Sequence, residues 1–158
     1  MAAVAASLFL AAGVTAQDLT FTTTGGQALS LSSMRGRVIV LFFSGVQDPQ
    51  CRDGLKTLHA LAERYEHKDV AIYWVSVNGP NEMSNEQLKA PCGSTEVQTL
   101  RDAGGSALKR FSGKSAQLPT VVVLDRQGNA SGSPRGGFNP NSDFVNDLSS
   151  TIDGLLKR

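Results

Sequence analysis

The sequence predicts an α/β domain with a central mixed sheet covered by helices on both faces. Three observations carry that prediction. Residues 37–43 (RVIVLFF), 70–77 (VAIYWVSV) and 119–124 (PTVVVL) are short apolar runs of the kind found in strands buried on both sides. The segments between them carry helical spacing, so the strands are separated by helices as a parallel sheet requires. The chain then ends in a turn signal, a short return segment and an amphipathic stretch, which adds an antiparallel edge and a closing helix.

At 158 residues the chain is long enough for one self-supporting core, and it shows no repeat, charge block or linker that would divide it. The first sixteen residues, MAAVAASLFLAAGVTA, are an apolar run ending in small residues, with Val14 and Ala16 placed as a signal peptidase requires. The expected organisation is therefore a signal peptide over 1–16, cleaved after Ala16, and one domain over 17–158. A periplasmic or secreted location follows, with no membrane span in the mature chain. In an oxidising compartment the two cysteines, Cys51 and Cys92, can pair, although an even count alone does not require it. A formal charge of +1, from 15 basic against 14 acidic side chains, offers no basic face for nucleic acid.

Taken in order, Asp18–Thr23 alternates as a half-buried strand and Gly25-Gly26 breaks it. After the run 37–43, Asp48 and Pro49 make an N-cap and first helical residue, and Leu55, Leu58, Leu61 and Tyr65 continue at helical spacing. Beyond the second strand, Asn78–Lys89 is polar and ends in a short helix, and Gly104–Phe111 forms another. Asp125-Arg126-Gln127-Gly128 is a turn after the third core strand, so the segment up to Phe138 is expected to pair back at the sheet edge. Asn141–Leu156 closes the chain as a helix with Phe144, Leu148, Ile152 and Leu155 on one face.

The chemistry is concentrated in FFSGVQDPQCR, residues 42–52, where a strand gives way to a helix with Cys51 at the junction. A thiol in the first turn of a helix feels the positive end of the dipole, which favours the thiolate. Other candidates read as structure. His59 and His67 belong to no ligand cluster, Trp74 lies inside an apolar strand, and Gly104–Gly105 and Gly136–Gly137 lack the context of a phosphate loop and read as turns. No metal site and no cofactor is expected.

The element order, together with VIVLFFSGVQDPQCR, VSVN and LPTVVVLDRQGN, resembles the thioredoxin superfamily, in its exported TlpA-like and redoxin branch. The resemblance covers roughly residues 18–157 and implies a thiol-disulfide oxidoreductase whose partners are protein thiols, disulfides or an extended peptide. Members carry C-x-x-C-R at the junction. Cys51 and Arg52 match its second cysteine and basic neighbour, while Asp48 holds the place of the first. Leu118-Pro119-Thr120 matches the family's substrate-binding motif, in which the bond before the proline is cis.

Asp48 excludes ordinary turnover within one C-x-x-C, because exchange needs one attacking and one resolving sulfur. Its carboxylate opposes thiolate formation at Cys51, whereas Arg52 favours it. Three readings stay open. Cys51 can act alone or with Cys92, or it can be a plain structural thiol in a non-catalytic binding module. The chain also resembles peroxiredoxins, whose peroxide-reducing cysteine falls on Cys51 and some of which keep a resolving cysteine near the position of Cys92. In that alignment, however, Ser44 replaces the motif's proline and Asp48 its threonine.

Overall fold

The computed structural model describes residues 19–45, 51–91, 97–136 and 143–158. The sequence-based readings that lie wholly or partly outside the described residues include the signal peptide, Asp18 at the start of the first strand, the Asp48–Pro49 helix start, Cys92, Gly137, Phe138, and the first residues of the closing helix.

The elements are β1 (Thr20–Thr23), β2 (Ala28–Ser30), β3 (Val38–Ser44), α1 (Cys51–Arg64), β4 (Val70–Ser76), α2 (Asn85–Lys89), β5 (Thr99–Arg101), α3 (Ser106–Ser112), β6 (Thr120–Leu124), β7 (Arg135–Gly136) and α4 (Phe144–Leu156). Single 3-10 turns follow β2, at Leu31–Met34, and α3, at Gly113–Ser115. One sheet runs in the order β2-β1-β5-β4-β3-β6-β7. The pairs β3–β4 and β4–β5 are parallel, and the remaining neighbours are antiparallel. This is the mixed sheet that the alternation of strands and helices predicts.

The three apolar runs are buried because both of their faces are covered. In β3, Val38, Val40 and Phe42 point toward α1 and α4, while Ile39, Leu41 and Phe43 point toward α3 and the N-terminal hairpin. Such two-sided burial is why the run reads as continuously apolar rather than alternating. Against the first face, α1 buries Cys51, Gly54, Leu55, Leu58 and Leu61, and α4 adds Leu148, Ile152 and Leu155. Trp74 is fully enclosed in the same layer.

Two strands escape the sequence reading. β2 and β5 have three residues each, too few to establish a period, and they exist because β1 and β4 offer ladders to pair with. The return strand is also shorter than expected: among the described residues it comprises a bridge between Leu124 and Ala130 and then β7. Gly136 belongs to β7 and not to a turn. The Asp125 turn is as expected. Its carboxylate accepts from the backbone N–H groups of Gln127 and Asn129, and Gly128 adopts φ 85° there, a left-handed conformation that favours glycine.

Candidate active site

The sequence reading places Cys51 at a strand-to-helix junction, and the structure agrees. Cys51 is the first described residue of α1, just beyond the C-terminal end of β3. Its side chain turns inward, since Gly54, Leu55 and Leu58 follow on the same face, and the residue is 4% exposed. Arg52, one position on, is exposed. Cys51 is bonded in a disulfide and so has no thiol to titrate. Asp48 and Cys92 lie outside the described residues.

The helix sits unusually close to the sheet here. A Cβ placed on Gly54 would stand 2.9 Å from Phe42 Cε1 and closer still to Cζ, so the α1 backbone rests directly on that ring. Glycine is required at this position for space, not for φ. The contact fixes the height of the first turn, and hence of the Cys51 sulfur, above β3.

The second half of the site is the loop entering β6. The Leu118–Pro119 bond is cis, as the resemblance implies. Pro119 is buried, whereas Leu118 is 39% exposed and is the one exposed large apolar side chain among the described residues. Thr120 is buried, and its hydroxyl donates to the Gln117 carbonyl, closing the turn around the proline. A Cβ on Gly45, at the end of β3, would lie 3.8 Å from Leu118 Cδ1, 3.9 Å from Val77 Cγ2 and 3.3 Å from Asn78 Oδ1. The chain ends after β3 and β4 and the start of β6 therefore converge on one patch. The structure brings Leu118, Pro119 and Thr120 to the end of the sheet from which α1 departs.

Sequence reasoning missed two buried charges at this end. Arg101 (4% exposed) and Asp102 (3% exposed) are neighbours at the end of β5 and point to opposite faces. The Arg101 guanidinium donates to the carbonyls of Asn78 (2.8 Å) and Met83 (2.8 Å) and to Asn85 Oδ1 (3.1 Å), tying down the loop after β4 and the first residue of α2. Asp102 accepts from the Ala107 (3.1 Å) and Leu108 (3.0 Å) N–H groups and from the Ser106 hydroxyl (2.9 Å), so it caps α3 from outside. The signal for Asp102 was present: D-A-G-G-S directly before a helical pattern is a helix-start sequence. Nothing in the sequence marks Arg101 as buried.

Among the described residues there is no cluster of three or more His, Cys, Asp or Glu side chains able to hold a metal ion. None of the described helices is long and apolar enough to cross a membrane.

The sheet order, the cysteine at the start of α1 and the cis-proline opposite define a protein of the thioredoxin-like fold. Within that class, the chain belongs to the AhpC/TSA family, whose model matches residues 12–131. Solved structures with the same fold include a candidate protein disulfide isomerase of Bacteroides thetaiotaomicron (24% identity, 92% of this chain and 90% of the other, TM-score 0.74). Another is a candidate thiol:disulfide interchange protein DsbE of Chlorobium tepidum (21%, 91% and 96%, TM-score 0.72). A third is the exposed lipoprotein thioredoxin Etrx1 of Streptococcus pneumoniae (19%, 87% and 98%, TM-score 0.69). No curated protein matches the sequence.

Proposed function

We propose that this protein is an exported thiol-disulfide oxidoreductase whose redox couple is Cys51–Cys92 in place of a C-x-x-C pair. The observation that carries this reading is the disulfide at Cys51. With Asp48 at the position of the family's first sulfur, Cys92 is the one other cysteine the chain has to offer. Two features support the pairing. Leu88 and Val97, on either side of Cys92 in sequence, belong to the same buried cluster as Cys51, and Pro91 is buried directly before it. In the reducing direction, the Cys51 thiolate attacks one sulfur of a partner disulfide and releases the other as a thiolate, which takes up a proton. The Cys92 thiolate then attacks the Cys51 sulfur, the partner's second thiolate leaves, and two electrons have passed to the partner. The reverse sequence oxidises a partner dithiol.

In this reading Leu118 meets the substrate, since it combines an exposed apolar side chain with the position before the cis-proline. Export rests on the apolar leader over residues 1–16, and mature protein beginning at Gln17 would verify it by intact mass. Structures with this fold include an exposed lipoprotein of Streptococcus pneumoniae and a secreted disulfide oxidoreductase of Mycobacterium tuberculosis.

Membership of the AhpC/TSA family favours a second reading, thiol peroxidase. There the Cys51 thiolate attacks the peroxide O–O bond to give a sulfenic acid and an alcohol or water. Cys92 then condenses with it, releasing water and forming the same disulfide. The low exposure of Cys51 favours a third, a binding module with a structural bond.

A redox titration in glutathione and dithiothreitol buffers, read by thiol alkylation and peptide mapping, separates these. A reversible Cys51–Cys92 couple with a potential above about −300 mV supports the oxidoreductase. A bond that stays closed at that potential indicates the structural module. Sulfenic acid at Cys51 forming faster at micromolar peroxide than at an ordinary exposed thiol would promote the peroxidase.

A further inference from the structure

Beside Leu118, on the α3 side of the sheet, lies a pocket of about 480 Å³ that the redox chemistry does not use. Its floor is apolar, made by Val77, Leu108 and Ala116. One wall is the loop after β4, with Gly79 and Glu82, and the other is the start of α3 with Lys109, joined by Lys114 from the turn that follows. The pocket lies near the exposed leucine through Val77, which lines it: Val77 and Leu118 approach the same point above Gly45, at 3.9 and 3.8 Å.

Both walls are held by the two buried charges at the end of β5. Arg101 fixes the first through Asn78 and Met83, and Asp102 fixes the second through the N–H groups of Ala107 and Leu108. Burying a cation and an anion is costly unless hydrogen bonds offset the lost hydration, and here each side chain makes three. The result is a concavity whose two sides are pinned to the central sheet, which is the preorganisation that a side-chain subsite needs.

We propose that this pocket binds an apolar side chain of an extended polypeptide substrate, with an acidic residue of that substrate next to it. The inference rests on the oxidoreductase reading for its partner and adds the partner's sequence preference. The charges favour an acidic neighbour. Among the side chains lining the pocket Glu82 is the single carboxylate, and its Oε2 is already occupied by the Gly79 N–H (2.9 Å) and the Asn78 amide (3.3 Å). Lys109 donates to the Gly104 carbonyl at the rim, and Lys114 is exposed, so two cations remain to meet the incoming chain.

The test uses thiol-free fluorescent peptides that share a common frame and carry Leu-Asp, Gly-Asp or Leu-Lys at the centre, with binding read by anisotropy on the oxidised protein. Leu-Asp should bind roughly 10-fold more tightly than Gly-Asp, as the burial of one large apolar side chain requires. It should bind several-fold more tightly than Leu-Lys at low salt, and that second margin should shrink as salt rises. Ala116→Trp, which fills the pocket, should abolish the leucine preference. The double variant Lys109→Glu/Lys114→Glu, confined to surface charges, should reverse the charge preference. Equal binding of the three peptides, or preferences untouched by both variants, overturns the proposal. Exchange of Cys51 with glutathione is measured in parallel. Peptide discrimination without exchange removes the redox reading and leaves the pocket, whereas exchange without discrimination does the opposite.

Discussion

One face of the sheet is covered by α1 and α4, helices of 14 and 13 residues whose apolar stripes lie along the strands. The other is covered by α3, of seven residues, by the Leu31–Met34 turn and by the β1–β2 hairpin. The first face is closed by long regular elements in close contact, and it carries the Cys51 sulfur. The second is closed by short pieces pinned at their ends by polar groups, of which Asp102 at α3 is the clearest, and it carries the pocket. The difference separates the demands of the site. A reactive or bonded sulfur needs a fixed height above the sheet, which tight packing supplies, while a substrate pocket needs open volume between fixed walls.

Two glycines in the long helices put the first half of that contrast to the largest test. Gly54→Ala drives a methyl group into the Phe42 ring, which is itself fully buried and has nowhere to retreat. Overpacking of this kind costs about 2–3 kcal/mol and outweighs the gain of about 1 kcal/mol from better helix propensity. At Gly154, an exposed position in α4, nothing lies within 4 Å of an added Cβ, so Gly154→Ala should stabilise by about 0.5 kcal/mol. Urea midpoints of the two variants measure both signs. A neutral Gly54→Ala would mean that α1 is not seated on the sheet as described.

The same contrast decides what the sequence disclosed. β3, β4 and β6 are buried on both faces, so their seven, seven and five residues read as apolar runs without any tertiary information. The stripes of α1 and α4 repeat over several turns and were equally legible, as was the proline motif. β5 was not. It is a three-residue strand, TLR, that becomes internal to the sheet only because β1 and β4 flank it. Arg101 and Asp102 inherit their burial from that insertion, so two charges whose burial no sequence pattern marks became the supports of both loops. At the site, the position of Cys51 was visible in D-P-Q-C. The convergence of Gly45, Val77 and Leu118 was not, because it depends on register between strands distant in sequence.

Each face also buries one tyrosine, and the pair supplies a smaller, pH-dependent comparison. Tyr65 donates to the Ser149 carbonyl (3.1 Å) and to Asp153 Oδ1 (2.9 Å), joining α1 to α4. Tyr73 donates to the Met34 sulfur, a weak acceptor. Burial raises both phenols above 10.0. At Tyr65 the Asp153 carboxylate adds to the rise, while the nearby Ser149 hydroxyl and Arg64 oppose it. At Tyr73 Arg37 opposes it. A raised folded-state pKa favours the protonated form, so this stability is fully present below pH 10 and is lost as pH climbs through the folded values. Wild-type stability should therefore fall above about pH 10, and either Tyr→Phe change should flatten that fall. At neutral pH the two should diverge, with Tyr65→Phe costing about 1 kcal/mol and Tyr73→Phe almost nothing. Equal costs at pH 7 would erase the distinction between a bridging and a merely packed hydroxyl.

The smallest effect is expected at a fully enclosed residue of the α1 and α4 face. Trp74 has no exposed surface, yet its indole Nε1–H finds no hydrogen-bond partner among the described residues. Two contributions oppose each other in Trp74→Phe. The smaller ring gives up buried apolar area and leaves a void, which by itself would cost about 2 kcal/mol. Removing an unsatisfied buried donor returns a desolvation cost of about 1–3 kcal/mol. The sum should lie within about 1 kcal/mol of neutral, well below the usual penalty for trimming a core tryptophan. Circular dichroism melts and urea midpoints give the value directly, and they do not rely on the one tryptophan fluorophore that the substitution removes. A loss above about 3 kcal/mol would mean that the indole nitrogen is hydrogen-bonded after all, and that this face holds a second buried polar contact beside the one Tyr65 makes.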